Sequence, residues 1–288
     1  MTDFSNSVLG VTGASGYVGR AVIAELKARG ASKIVAITRD PARIADIAGV
    51  EARAGDFTKP DTLASAFDGV ERLLLISASD VGQRLPGQLA AIDAAERAGV
   101  GHLIYTSITS PYPHPRHAVQ NDHFWTEARL FATKGGWTSL RDNIYADFIV
   151  WEAAKTLEAG KIFHAAGDGR RAIVFRDDIA AAAAGALLTA EGRELVDVSG
   201  PDALSYADIA ALLSRLGGRP VTAVDVGHEA QLKGMIGAGL SPLLAEAFAG
   251  FDVAVRTGAL AVIGNGVERF AGRAPLSLEA AVTRALKG

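Results

Sequence analysis

Three glycines spaced three residues apart, Gly13, Gly16 and Gly19, are the side-chain-free positions around which chemistry is easiest to place. Gly13 permits a tight exit from a strand, Gly16 lets backbone approach a pyrophosphate, and Gly19 lets a helix lie close to a sheet. The elements that would position them are on either side. Ser7 to Thr12 reads as a short buried strand, and Val18, Ala21, Val22, Ala24, Leu26 and Ala28 mark a helix from Tyr17 to Gly30. The first turn of that helix faces the phosphates with free N–H groups. Gly13, Ser15, Gly16, Tyr17, Val18 and Gly19 are therefore assigned to a dinucleotide. A glycine triplet alone also suits a ligand-free turn; the strand before it and the helix after it favour the nucleotide.

The chain has 288 residues, 49% of them hydrophobic, enough for one large domain with a smaller appended lobe. A net charge of −3 gives no basic field for nucleic acid, and the absence of cysteine excludes disulfides, thiolate nucleophiles and cysteine-based zinc sites. No apolar run approaches membrane-spanning length, and the start Met1-Thr-Asp-Phe-Ser lacks the basic and apolar parts of a signal, so a soluble cytoplasmic protein is expected.

Lys33 to Arg39 reads as a second strand, followed by a short helix from Ala42. The strand's end selects the cofactor: an acid there bonds a ribose 2′-hydroxyl, an arginine pairs with a 2′-phosphate. Arg39 points to NADPH, with Arg43 a turn further on; a solvated arginine is the competing reading, and Asp40 keeps NADH open. Val50 to Phe57 reads as a third strand and Lys59 to Phe67 as a helix, with Asp56 either capping that region or, beside Phe57, reaching the adenine. Glu71 to Ser77 reads as the fourth strand, its exit Ser77-Ala78-Ser79 suited to lying along a cofactor. Gln88 to Ala98 reads as a helix, and Gly101 to Ser107, including Tyr105 and Thr106, as the fifth strand. This alternation implies a parallel, doubly wound Rossmann-like α/β sheet with ligands at the strands' carboxyl ends.

Ser110 to His117 is a proline-rich loop expected near the site mouth; His114 and His117 are too few ligands for a metal site by themselves. A helix is expected from His123 to about Lys134, a sixth strand over Trp137 to Arg141, then Asp142, Asn143 and Tyr145 at the same sheet end. A helix carrying Phe148, Trp151, Ala154 and Leu157 follows to Gly160. Ala172 to Phe175, Glu194 to Val198 and Pro220 to Val226 read as further strands. Arg176 to Ile179 caps an alanine-rich helix, Pro201 to Gly217 is turn and helix, and Glu229 to Leu286 is mainly helical. The expected division is a dinucleotide-binding domain over 1–155, to which segments around 170–200 return, and a mixed, mainly helical lobe over 156–288 covering the substrate.

Thr12-Gly13-x-x-Gly16-x-x-Gly19, Ile37-Thr-Arg39-Asp-Pro41, Leu74-Leu-Ile-Ser77, Tyr105-Thr-Ser107, His123-x-x-Thr-Glu127 and Leu140-Arg141-x-x-x-Tyr145, in this order, resemble NmrA-like atypical short-chain dehydrogenases/reductases, and within them the quinone and triphenylmethane reductase branch. The similarity extends to Ala166-Gly-Asp-Gly169 and Asp177-Asp-Ile179. It implies a Rossmann domain holding NADPH and a small lobe completing a pocket over the nicotinamide. Related quinone and dye reductases carry asparagine after the sixth-strand arginine, where this chain has Asp142 followed by Asn143; the loop Ser110 to Arg116 also departs from them.

Ketone-reducing members of the wider superfamily use Tyr-x-x-x-Lys, the lysine lowering the tyrosine's pKa. No such pair exists here: Tyr17, Tyr105, Tyr112, Tyr145 and Tyr206 are followed four positions on by Ala21, Thr109, Arg116, Ile149 and Ala210. Hydride transfer to a quinone yields a phenolate with a pKa of about 10, which needs far less acid assistance than an alkoxide. The expected activity is NADPH-dependent reduction of a quinone or related conjugated, aromatic acceptor. Tyr145, His123 and Ser107 are the candidate catalytic residues, with Asp142 and Asn143 beside the cofactor. His123 also reads as a structural histidine at a helix start, and Tyr145 as a packing ring. A non-catalytic NADP(H)-binding redox sensor, or a carbonyl or imine reductase using His123 or Asp142 as proton donor, are the alternatives, and a homodimer is compatible with each.

Overall fold

The computed structural model describes residues 3–287; Met1, Thr2 and Gly288, on which part of the N-terminal reading and the last lobe boundary fall, lie outside them. The first half alternates as β1 (Leu9–Val11), α1 (Tyr17–Ala28), β2 (Ile34–Thr38), β3 (Glu51–Ala54), α2 (Leu63–Phe67), β4 (Arg72–Leu75), α3 (Leu85–Arg97), β5 (His102–Ile108), α4 (Ala118–Phe131) and β6 (Gly136–Asp142). The second half runs through α5 (Asp147–Trp151), α6 (Ala153–Ala159), β7 (Lys161–His164), α7 (Arg176–Thr189), β8 (Arg193–Val198), α8 (Tyr206–Gly217), β9 (Thr222–Asp225), α9 (His228–Gly237), α10 (Pro242–Arg256), α11 (Gly266–Ala271) and α12 (Leu278–Lys287).

Seven strands pair in parallel in the order β3-β2-β1-β4-β5-β6-β8. The chain winds outward in opposite directions from β1 and β4, so the crevice at their carboxyl ends is the natural ligand position of this doubly wound fold. One face packs Leu9, Val11, Val22 and Leu26 against the alanine-rich α7; the other packs Leu73, Ile92, Leu103 and Tyr105. In α7 every residue from Asp178 to Leu188 is buried, and the small side chains allow backbone-close packing. Gly185 is the tightest point: a Cβ there would lie 1.9 Å from the Phe270 carbonyl oxygen of α11.

Several expectations shift. Ala172 to Phe175 is not a strand; it makes one isolated bridge, Val174 with Tyr145, and Arg171 just before it makes another with Leu204. Its apolar run arises because all four residues are buried, Val174 in one core and Ile173 and Phe175 in another. The unforeseen β7 pairs instead with β9 in a separate two-stranded parallel sheet. Helix α4 starts at Ala118, five residues before the expected His123, because its buried face is polar and lacks the apolar stripe that marks a helix in sequence. The helix expected to Gly160 divides at Glu152 into α5 and α6, and its buried side carries Ile149, Val150 and Ala153, leaving Phe148 and Trp151 exposed. No helix among the described residues is long and apolar enough to cross a membrane.

Replacing Gly185 by alanine should force α7 and α11 apart. A loss of roughly 1–3 kcal/mol in urea unfolding is expected, and an unchanged midpoint would show that the contact relaxes freely.

Candidate active site

The glycine turn has the geometry of an anion cradle. Gly13 adopts φ +62°, and a Cβ on Gly19 would lie 2.3 Å from the Gly13 carbonyl oxygen. Gly16 N–H closes the turn on Gly13 O at 2.9 Å. Helix α1 has no side-chain cap and no acid in its first turn, so its N-terminal N–H groups and dipole are left for a bound anion. Ser15 Oγ accepts from Thr38 Oγ1 at 3.0 Å, tying the cradle to the end of β2. The half-buried Val18 packs on the core beneath. Tyr17 reaches across to α7, where its hydroxyl donates to Asp177 Oδ1 at 2.6 Å and Arg176 lies 4.0 Å from its ring centre. The Asp177 hydrogen bond, followed by burial, pushes the Tyr17 hydroxyl above its ordinary pKa. These glycines, which leave room where Cβ atoms would collide, and this uncapped helix fit a dinucleotide pyrophosphate.

Past β2, Arg39 and Asp40 are both exposed. Asp40 caps the next turn, its carboxylate accepting from Ala42 N–H at 3.0 Å. Asp56 likewise folds onto its own loop, accepting from Thr58 N–H and Oγ1 at 2.9 and 2.8 Å. Phe57 lies against the first turn of α3, where a Cβ on Gly87 would meet its carbonyl oxygen at 2.9 Å.

The β4 exit is held by Thr106, which the sequence reading placed beside the cofactor, and by Gln88, Arg84 and Asp122, which it did not single out. Ser77 N–H donates to Thr106 Oγ1 at 2.8 Å, and Ala78 N–H to Gln88 Oε1 at 3.1 Å. Arg84 Nη1 donates to Ala78 O at 2.8 Å, while its Nε and Gly82 N–H both meet Asp122 Oδ2, at 3.2 and 3.1 Å. Ser79 stands exposed just beyond this clamp. Polar residues on α4 where an amphipathic helix would show apolar ones were the available signal.

Tyr105 and His123 belong to the same buried assembly. Tyr105 is 1% exposed, and its hydroxyl pairs with His123 Nδ1 at 2.8 Å beside Gln88 Nε2 at 3.3 Å. The Tyr105 ring thus faces α3 and α4, leaving only its backbone toward a cofactor. His123 lies within α4, 3% exposed, not at a helix start, and burial, then Arg84, depress its pKa well below the ordinary histidine value. This enclosed imidazole, paired with Tyr105, fits the structural reading of His123.

Two strand-end polar groups remain unpaired among the described residues. Ser107 Oγ at the end of β5 and Asp142 Oδ1 at the end of β6 are buried without hydrogen-bond partners. Such orphans mark sites where a ligand completes the bonding. Burial raises the Asp142 carboxyl well above the ordinary carboxylate range, favouring its protonated, hydrogen-bond-donating form. Asn143 is engaged elsewhere, donating from Nδ2 to Leu260 O at 3.0 Å and so fastening the C-terminal segment over the sheet. Tyr145 is half-buried, and burial, then Asp142, raise its pKa, keeping its hydroxyl protonated. In the proline-rich loop His114 and His117 stack at 3.8 Å, and His117 Nδ1 meets Tyr112 Oη at 2.6 Å, so both rings are occupied locally.

With this geometry, the comparison with known proteins is direct. The pattern of the NAD(P)H-binding family matches residues 13–190, and the chain belongs to that family. It is 36% identical over 258 residues to quinone oxidoreductase 2 of Escherichia coli, covering 88% of this chain and 90% of the relative. The structure of the Escherichia coli NADPH-dependent quinone oxidoreductase complexed with NADPH superimposes with a TM-score of 0.89 at 33% identity, over 96% of this chain and 99% of that one. The Citrobacter sp. triphenylmethane reductase complexed with NADP(H) gives a TM-score of 0.84 at 30% identity, over 96% and 99%. These relatives accord with the NmrA-like resemblance.

Asp142→Asn tests the buried carboxyl. In the folded state it holds its proton above the unfolded pKa, so its cost to stability grows as pH rises from the unfolded value toward the folded one. The asparagine variant should gain roughly 1–3 kcal/mol, more at about pH 8 than at about pH 5, in urea unfolding. A gain independent of pH would contradict the assignment.

Proposed function

We propose that this protein is an NADPH-dependent reductase of quinones or related conjugated aromatic acceptors. The observation that carries this reading is a strand-end site with a phosphate cradle and neutral donors, Ser107, protonated Asp142 and Tyr145, but no Tyr-x-x-x-Lys pair. Gly13, Gly16, Gly19 and the α1 N-terminus hold the pyrophosphate, and Arg39 takes the 2′-phosphate, with Asp40 withdrawn into its cap. Asp56, Phe57 and the clamped Ser77–Ser79 exit border the adenosine and ribose portions. NADPH supplies the hydride when bound. Ser107 and Asp142 bond and orient the groups at the strand ends, while Tyr145 donates a hydrogen bond to the acceptor oxygen. The hydroquinone anion so formed takes its proton from water, since a phenol-like pKa of about 10 makes it basic enough at neutral pH.

Residues 1–155, with α7, β8 and α11 returning to them, form the dinucleotide-binding part in this reading, and the remainder covers the acceptor. The protein acts in the cytoplasm on a small molecule, without nucleic acid or membrane, and a homodimer is compatible with this reading. The similarity to a quinone oxidoreductase and a triphenylmethane reductase supports the acceptor class.

Steady-state NADPH oxidation with quinones, cationic dyes, imines and simple ketones is the decisive measurement. Turnover is expected with quinones and dyes and not with ketones. NADPH binding without turnover on any acceptor would overturn the reductase reading in favour of a dinucleotide sensor. In Arg39→Ala the kcat/KM ratio of NADPH to NADH should fall roughly 10- to 100-fold, the equivalent of about 1.5–3 kcal/mol for a charge-assisted hydrogen bond; an unchanged ratio would remove Arg39 from the site.

A further inference from the structure

Between α5, α6, β7 and α8 lies a cavity of about 310 Å³ whose far wall is Ile173, Ile209 and Leu213. Phe148 and Phe163 flank it while remaining 59% and 61% exposed, which makes an aromatic mouth. Tyr145, at the carboxyl end of the sheet, lines it too, so the chamber is continuous with the residue placed at the acceptor oxygen. Its size and apolar walls suit one or two fused rings.

One buried charge faces this chamber. Arg171 lines it at 6% exposure. Glu152, the other charged wall residue, is exposed at the rim and paired with Lys155 at 3.2 Å. The Arg171 guanidinium lies 3.9 Å from the Tyr206 ring centre, and its Nε has no hydrogen-bond partner. Its only ion pair among the described residues is to Asp252, at the limiting distance of 4.0 Å. That carboxylate is already served by other donors: Tyr206 Oη at 3.0 Å, Ala165 N–H at 2.8 Å, and Gln231 Nε2. A guanidinium carries five N–H donors in a planar fork matched to an oxyanion, and beside the Tyr206 ring and the distant Asp252 carboxylate its buried Nε stays unpaired, which is costly. A ligand with an aromatic body and an acidic group meets both requirements, the body against the isoleucines and phenylalanines and the acid on Arg171.

We propose that this chamber is a subsite of the acceptor pocket, in which Arg171 selects conjugated acceptors bearing a carboxylate or sulfonate substituent and directs their reducible ring toward Tyr145. The proposal rests on the reductase reading for its catalytic consequence, but the binding site itself is testable without turnover.

The test compares a naphthoquinone sulfonate with unsubstituted naphthoquinone in NADPH oxidation, and measures binding of the non-reducible naphthalene sulfonate by calorimetry in the absence of NADPH. The wild type should favour the sulfonated quinone in kcat/KM, mainly through KM. Arg171→Met should lower that preference roughly 10- to 100-fold, the scale of a charged hydrogen bond, and weaken naphthalene sulfonate binding in parallel. Arg171→Lys should restore part of both. Phe163→Glu, at an exposed position that tolerates substitution, places a like charge at the mouth and should lower the preference in the same direction, so it decides the matter if Arg171→Met does not fold. Equal sulfonate preference and equal affinity in wild type and these variants would overturn the subsite. Arg171-dependent binding of naphthalene sulfonate with no quinone turnover would uphold the anion site and sink the reductase reading, whereas turnover indifferent to the sulfonate would do the reverse.

Discussion

Glu127 is 3% exposed on its side chain and receives Arg141 through two hydrogen bonds, 2.9 and 2.7 Å, with Ser139 Oγ donating to the same carboxylate at 2.7 Å. This pair bolts α4 onto β6, and much of the site's framework follows from it. Once α4 is fixed, Asp122, His123 and Thr126, one turn before or beside Glu127, are turned inward together. Asp122 then holds Arg84 and Gly82, Thr126 holds Gln88, and His123 holds Tyr105. The β4 exit is therefore positioned by side chains from α3, α4 and, through Thr106, β5. Buried polar groups are tolerable only when they bond in this mutual way, and losing one partner leaves the others expensively unpaired.

The other side of the sheet depends on a helix with almost no side chains. The alanines of α7 let α1 and α11 approach closely, but burial leaves both helix ends in need of partners. Arg72 supplies them at the carboxyl end, donating to the carbonyls of Ala186, Leu187 and Ala190. Burial lowers its pKa only to about 10, so it remains a cation against the negative end of the helix dipole. At the other end Asp178 accepts from Leu276 N–H and Arg273, drawing the C-terminal segment onto the same helix. The strand ends thus face a lobe that is anchored to the sheet by charge as well as by apolar contact.

Between these two supports the site is polar but neutral. Burial lowers the pKa of His123 and raises those of Asp142 and Tyr145, each shift favouring the neutral form. Such a site orients and excludes water better than it transfers protons, which suits an acceptor whose reduced form is a weak base. Arg171, on the acceptor side, carries a charge whose ion pair to Asp252 is at the limiting distance of 4.0 Å and whose Nε is unpaired.

The glycine spacing, the apolar strands and the alanine run were legible in the sequence because each is a local requirement: φ at Gly13, clearance at Gly19, period and volume in the strands and α7. The parallel, doubly wound sheet through β6 followed from the alternation, while its strand order came from the pairing of the folded chain. What lay beyond reach depended on residues far apart in the chain. The start of α4 was hidden because its inward face is polar, and only Arg84, Gln88, Tyr105 and Arg141, distant in sequence, make that face burial-worthy. Ala172 to Phe175 looked like a strand because its four residues form a buried apolar run, yet no neighbouring strand was available to pair with it. Phe148 and Trp151 had helical spacing, but tertiary packing chose the opposite side of α5. The cradle at Gly13, Gly16 and Gly19 was thus written in local backbone geometry, while the raised pKa of Asp142, the confinement of His123 and the burial of Arg171 beside Tyr206 were decided only when folding set the distances and removed the water.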